Sequence, residues 1–155
     1  MKVLTVDPGE STGFSTWEDG DLVYAGQADL DEFVQAVGRA LDVHADYAPV
    51  NPVADGDLID RLRGVEHVVI EDWSLYPWKL QSMAWDKCRT ARAIGALEYI
   101  CQVTSVPFTL QGAKIKESAV AGGAEELFLR PLHENRHAND AIMHGVFYHV
   151  TKGDA

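Results

Sequence analysis

The sequence predicts an α/β domain in which a five-stranded mixed sheet is flanked by helices. Three observations predict it. Strand-like runs follow one another over residues 2–6, 12–17 and 22–26, and helical and strand-like patterns alternate after them. The 155 residues are 46% apolar and include four Trp, five Tyr and five Phe, enough for one core and one domain spanning 1–155.

Lys2-Val3-Leu4-Thr5-Val6 is a β-type run that stops on Asp7-Pro8-Gly9, where Pro and Gly turn the chain, and Ser11-Thr12-Gly13 leads into the next apolar stretch. Thr12 to Trp17 and Leu22 to Gly26 flank Glu18-Asp19-Gly20-Asp21, an Asp-Gly hairpin signal, so the first three strands form a meander. Asp29 suits a helix cap with Glu32 three residues on, and Leu30, Phe33, Val34, Val37 and Leu41 make the stripe that packs on the sheet. Residues 45–57, with Pro49, Pro52 and Gly56, read as a loop. Asp57 starts a short helix, and His67-Val68-Val69-Ile70 is a buried strand ending on Glu71. Beyond Pro77, residues 79–103 carry a long helical pattern in which Ala91, Ala93, Gly95 and Ala96 permit close packing. Val106 to Leu110 is the fifth strand, Ala113 to Ala121 is helical, Gly122-Gly123 breaks that helix, and a last helix runs from about Asn135 to Lys152.

The formal net charge of -11 disfavours nucleic acid as a partner, because phosphate affinity comes largely from Lys and Arg. Its distribution reopens the question. Residues 1–78 hold 16 acids and 4 bases, whereas residues 79–136 hold 6 acids and 8 bases. Lys79, Lys87, Arg89, Arg92, Lys114 and Lys116 make this middle region the candidate phosphate-facing one, although such charges also suit a solvated helix face. No apolar run approaches the roughly 18 residues of a membrane span, and the N-terminus lacks the basic-then-apolar pattern of a secretion signal. A cytoplasmic protein with no membrane partner is expected, in the host cytoplasm if phage-encoded. Cys88 and Cys101 lie roughly 20 Å apart along one predicted helix, too far to bridge, and are expected as buried thiols.

Chemistry gathers where strands end. If the first and fourth strands are parallel neighbours, Asp7 and Glu71 emerge at one sheet edge. His137 and Asp140, spaced i, i+3, share one face of the last helix and complete a ring of oxygen and nitrogen donors. Such donors suit Mg²⁺ or Mn²⁺, and two ions about 4 Å apart stabilise both the attacking and the leaving oxygen of a phosphodiester. Each piece alone has a plainer use: Asp-Pro-Gly as a turn, a strand-end acid as a cap, a helical His as core or surface. Asp72 points away from Glu71 and is expected at the surface or in a cap.

Taken in order, Val6-Asp7-Pro8-Gly9 with Thr12-Gly13, Val69-Ile70-Glu71, Arg92-Ala93-Ile94-Gly95-Ala96, Lys116 with Ala119-Val120-Ala121-Gly122, and His137-Ala138-Asn139-Asp140-Ala141 cover most of the chain. This set resembles the RuvC-type Holliday-junction resolvases of the ribonuclease H-like superfamily, in a short form of the phage type. The resemblance implies a ribonuclease H-like fold and catalytic metal ligands at Asp7, Glu71, His137 and Asp140, holding two Mg²⁺ or Mn²⁺ ions. It also implies a homodimer that nicks two strands of a four-way DNA junction symmetrically, with water as nucleophile, leaving 5′-phosphate and 3′-hydroxyl ends. Lys114 and Lys116 would meet phosphate, with Arg89 and Arg92 as further candidate DNA contacts. Trp73, Tyr76 and Trp78 are candidates to stack on an unpaired base, a contact worth about 1–3 kcal/mol. The chain departs from the pattern at Ser74, where the family tends to place its stacking aromatic. It departs again at Glu125-Glu126, where the family has a longer basic helix. Flaps, forks and other branches therefore enter as substrates beside junctions.

Three readings compete. His133-Glu134-Asn135-Arg136-His137 matches the H-E-x-x-H zinc-hydrolase pattern, but it needs residues 133–137 in one helix and leaves Asp7, Glu71 and Lys116 without a shared purpose. Asp7-Pro8-Gly9-Glu10-Ser11-Thr12-Gly13 also looks like the phosphate loop of actin-like ATPases and sugar kinases, folds that need two such domains. A non-catalytic branched-DNA binding module would bind junctions and cut nothing.

Overall fold

Asp19 and Gly20 both adopt positive φ, 52° and 93°, as a two-residue hairpin turn requires, and they join β2 (Ser11–Glu18) to β3 (Asp21–Asp29). In this computed structural model the described residues are 1–42, 56–72, 88–121 and 135–153. The remaining elements are β1 (Lys2–Asp7), α1 (Leu30–Ala40), α2 (Gly56–Leu62), β4 (His67–Asp72), α3 (Arg89–Thr104), β5 (Phe108–Gly112), α4 (Ile115–Ala121) and α5 (Arg136–Gly153). The strands form one mixed sheet in the order β3-β2-β1-β4-β5. β1 is antiparallel to β2 and parallel to β4, and β4 is parallel to β5. The expected side-by-side arrangement of the first and fourth strands is thus the observed one.

Alternation along the strands builds two apolar layers. Leu4, Val6, Phe14, Val68 and Ile70 face α1, α2 and α3, burying Phe33, Val37, Leu62, Leu97 and Ile100. Val3, Trp17 and Val69 face the other way, against Ala119 of α4 and Ile142, Met143 and Val146 of α5. Each large apolar side chain buried in this way is worth about 1.5–3 kcal/mol. Asp29 caps α1 as the sequence predicts, its Oδ1 accepting from the backbone N–H of Asp31 at 3.0 Å. Among the described residues no helix is long and apolar enough to cross a membrane.

The fifth strand starts two residues later than its apolar pattern suggests. Ser105 turns left-handed at φ 57°, and the Val106 N–H closes α3 by donating to the Cys101 carbonyl at 3.0 Å. Pro107 has no N–H to offer a strand, though its carbonyl accepts from Val68 N at 3.0 Å. Of the long predicted helix, residues 79–87 lie outside the described residues. Cys101 is buried and Cys88 only half-buried; both are free thiols.

α5 lies unusually close to the sheet, and two glycines allow it. A Cβ on Gly13 would fall inside the carbonyl group of His137, at the start of α5, and one on Gly145 would fall inside the Trp17 indole ring. A buried relay ties the same surfaces together. The Trp17 indole N–H donates to Ser15 Oγ at 2.8 Å, the Ser15 and Thr5 hydroxyls bond each other, and Thr5 Oγ1 donates to the Ala141 carbonyl at 2.7 Å. Each hydroxyl has one proton, so these bonds run in one direction, from Trp17 to α5.

Gly13→Ala is expected to cost about 1–3 kcal/mol by overpacking the helix against the strand. Gly95→Ala, on the exposed side of α3 where an added methyl meets nothing within 4 Å, is expected to gain up to about 1 kcal/mol. Urea denaturation of the two variants reads both signs, and an unchanged midpoint for Gly13→Ala would contradict the close approach.

Candidate active site

The site lies at the carboxyl ends of the parallel strands, on the α5 side of the sheet. Val3, Thr5 and Asp7 alternate onto that side from β1, and His67, Val69 and Glu71 do so from β4. With Val6 paired to Ile70, Asp7 and Glu71 are the next residues along. β5 pairs Gln111 beside Glu71. α5 starts where Asn135 Oδ1 accepts from the N–H groups of His137 at 2.9 Å and Ala138 at 3.3 Å, so Asn135 is its cap. From there His137, Asp140 and His144 fall on one stripe of the helix.

These side chains converge. Lys116 Nζ, from the first turn of α4, lies 2.8 Å from Glu71 Oε2, 3.1 Å from Asp140 Oδ2 and 3.9 Å from Asp7 Oδ1. His137 Nδ1 is 3.1 Å from Asp7 Oδ2. Beneath them His144 Nε2 is 3.1 Å from Glu71 Oε2, and its Nδ1 is 2.9 Å from Gln111 Oε1. The site deepens from His137, whose side chain is 43% exposed, through Glu71 at 15% to His144 at 0%.

No family model matches the chain, and no curated protein matches it. Among solved structures, Thermus thermophilus RuvC in complex with Holliday junction substrate aligns with a TM-score of 0.61 at 17% identity, covering 99% of this chain and 96% of that one. A second Thermus thermophilus RuvC structure aligns with a TM-score of 0.57 at 19% identity, covering 99% and 97%. The chain has a RuvC-like fold of the ribonuclease H type.

Within this RuvC-like fold the charges balance unevenly. Burial pushes the Asp7 carboxyl up to about 7, and the neighbouring Glu71 carboxylate adds to the shift. Burial also pushes on Glu71, but hydrogen bonds from His144, Asp7 and Lys116 outweigh it and hold that group down at about 2. Burial works against the Lys116 charge too, yet Glu71, Asp7 and Asp140 outweigh it and raise its pKa, so the ammonium stays charged. Among the described residues no group of three or more His, Cys, Asp and Glu stands at metal-ligating spacing. The three carboxylates gather instead around an ammonium. Their chemistry nonetheless fits a hard divalent cation: oxygen donors from three elements converge on one positive centre, with an imidazole alongside.

Of the residues singled out in the sequence, the structure brings together Asp7, Glu71, His137, Asp140 and Lys116. Lys114 is exposed in the turn before α4, and Asp72 is exposed as expected. Arg89 and Arg92 lie on α3, across the sheet from these side chains, and Arg89 is paired with Asp31 of α1 at 2.8 Å. Trp73, Tyr76 and Trp78 lie outside the described residues, as do His133 and Glu134 of the zinc pattern. Sequence reasoning missed His144 and Gln111. The signal available was spacing: His144 follows Asp140 by four residues, and Gln111, like Asp7 and Glu71, comes directly after a strand-like run.

The unfolded chain releases the Asp7 proton near the ordinary 3.8, whereas the folded site keeps it until about 7. Stability from the protonated carboxyl is therefore present below pH 4 and is lost as pH rises through 7. Glu71 has the opposite sign: its contribution is present above 4.5 and is lost as pH falls toward 2. Asp7→Asn is expected to raise Tm at pH 8 and to do so much less at pH 4. Lys116→Met is expected to destabilise the fold at pH 8 in EDTA by about 1–3 kcal/mol, seen as a lower Tm, less than for a fully buried pair because Lys116 is partly exposed. Thermal scans at the two pH values check both.

Proposed function

We propose that the protein is a divalent-metal-dependent endodeoxyribonuclease that hydrolyses phosphodiester bonds in branched DNA, nicking four-way junctions and acting on flaps and forks as well. One observation carries this reading: Asp7, Glu71 and Asp140 converge around a single positive centre, with His137 on Asp7, at the strand-end edge of a RuvC-like sheet. A solved neighbour of this fold is described as bound to a Holliday junction substrate, which supports branched DNA as the ligand class. A zinc hydrolase built on His133 and His137, with Asp140 as a further ligand, would leave Asp7, Glu71 and Lys116 without a shared purpose.

Asp7, Glu71, Asp140 and His137 would hold two Mg²⁺ or Mn²⁺ ions, which supply Lewis acidity at the phosphodiester and lower the pKa of a bound water. Asp7 faces Glu71, Lys116 and His137 together and would be the central member of this set. His137 spends Nδ1 on Asp7, so its other ring nitrogen is the one left for a ligand or for the proton of the attacking water. Lys114 and Lys116 meet phosphate oxygens, and Lys116 does so from within the carboxylate cluster. Water attack in line with the departing oxygen leaves 5′-phosphate and 3′-hydroxyl ends. A homodimer would present two such sites to the two strands of a junction.

Labelled four-way junction, flap and linear duplex, incubated with Mg²⁺ or Mn²⁺ and then with EDTA, test the reading. Cutting confined to the branched substrates and stopped by EDTA is expected. Asp7→Asn and Glu71→Gln are expected to reduce it to background while Asp7→Asn still shifts junction DNA in a gel. Full cleavage by Glu71→Gln would overturn the assignment, and absence of cutting on all three substrates would favour a binding module. Because the chain carries 24 acids against 13 bases, the salt dependence of junction binding is expected to be shallow. A log–log slope near -10, about that of a strongly basic DNA binder, would contradict few phosphate contacts.

A further inference from the structure

His144 is fully buried, yet it stands in a stretch of α5 whose neighbours Ala141, Ile142, Met143 and Val146 are apolar and packed on the sheet. An imidazole there costs free energy unless its polar atoms are bonded. Both nitrogens are: Nδ1 to Gln111 Oε1 at 2.9 Å and Nε2 to Glu71 Oε2 at 3.1 Å. Glu71 and Gln111 are register partners on adjacent parallel strands. One ring therefore spans β4, β5 and α5 directly beneath the site.

We propose that His144 is a positioning residue that fixes the Glu71 carboxylate for cation binding and is itself fixed by Gln111. This rests on the metal-site reading above and adds to it a residue that touches neither DNA nor ion. The direction of the bonds follows from the acceptor. The ionised Glu71 carboxylate only accepts, so Nε2 carries the proton that points at it. On the far side the Gln111 amide can present oxygen to a protonated Nδ1 or nitrogen to a bare one, and it anchors the ring in either form. Glu71 Oε2 takes two donors, Lys116 at 2.8 Å and His144 at 3.1 Å. The two differ in what they can do. Lys116 sits on a flexible four-carbon stem and is free to turn toward a phosphate, whereas the His144 ring is held in a packed helix. When Lys116 leaves, His144 is what keeps the carboxylate in place.

Partners that orient a ligating side chain typically change metal affinity about 10- to 100-fold when removed. Isothermal titration of the 155-residue chain with Mn²⁺ is expected to show a loss of that size for His144→Leu, a smaller loss for Gln111→Leu, and substantial recovery for His144→Gln, whose amide N–H can donate to the same oxygen. Wild-type affinity in His144→Leu, or His144→Gln no better than His144→Leu, overturns the proposal. A long-range ¹H–¹⁵N histidine spectrum of the wild type provides a readout that needs neither metal nor cleavage. It is expected to show His144 protonated at Nε2, with that ¹⁵N signal moved by Glu71→Gln, and an unprotonated or unmoved Nε2 overturns the proposal even if His144→Leu fails to fold. If the wild type binds Mn²⁺ in a His144-dependent way but cuts no DNA, the nuclease reading fails and the positioning role stands. If it binds no Mn²⁺, the metal reading fails and the positioning of Glu71 for a cation fails with it.

Discussion

Asp7, Glu71 and Asp140 are drawn to one ammonium, and the balance of charge at that point is what the surrounding packing has to hold together. Three carboxylates at a partly buried sheet edge repel one another more strongly than they would in water, because the medium between them screens less. The molecule answers in two ways. Lys116 supplies a positive charge from α4, and Asp7 holds its proton up to about 7 while Glu71, better supplied with donors, stays ionised. The unequal pair is a consequence of unequal surroundings: Glu71 has His144 and Lys116 on one oxygen, whereas Lys116 stands farther from Asp7, at 3.9 Å.

Such a cluster forces the fold to bring repelling groups together, and the force has to come from elsewhere. It comes from the apolar layer below, in which Val3, Trp17 and Val69 meet Ile142, Met143 and Val146. It comes also from the hydroxyl relay that ends on the Ala141 carbonyl, one residue after Asp140. Gly13 and Gly145 let the helix backbone come down onto the strands at two heights, so the packing that stabilises α5 also sets the depth of His137, Asp140 and His144. Stability and site geometry are therefore one property of the β2–α5 contact. The carboxylate repulsion works against it, as is common where a site's chemistry is at odds with folding.

Some of this is legible in the residues and some is not, for physical reasons. An acid immediately after an apolar strand-like run often caps a helix or sits in a turn, and Asp7 and Glu71 stand out before any fold is known because two such runs each end on one. His137 and Asp140 are legible as a pair because helical spacing is local. Lys116 reads as a cation for phosphate, and its seat among the carboxylates does not, since α4 meets β1, β4 and α5 only through the tertiary arrangement. His144 hides because a histidine within Ala-Ile-Met-His-Gly-Val looks like core. Its partners are 33 and 73 residues away in the chain. The onset of β5 was obscured by Val106, which is apolar enough for a strand but whose N–H is spent on closing α3.

If this acidic chain acts on DNA as proposed, it faces a sign problem at long range. With 24 acids against 13 bases, the field outside the protein repels phosphate at low salt, and 16 of those acids fall in residues 1–78. Among the described residues, the cation nearest the proposed chemistry, Lys116, is already engaged by three carboxylates. If the site takes divalent ions as proposed, each ion changes the local balance by two positive charges, turning a cluster that repels phosphate into one that attracts it and freeing Lys116 to meet the backbone. Ion and DNA would then each favour binding of the other, as thermodynamic linkage requires. An acidic surface would in that setting hold the protein off continuous duplex, where contact is mainly electrostatic, and leave binding to structures that reach the site itself.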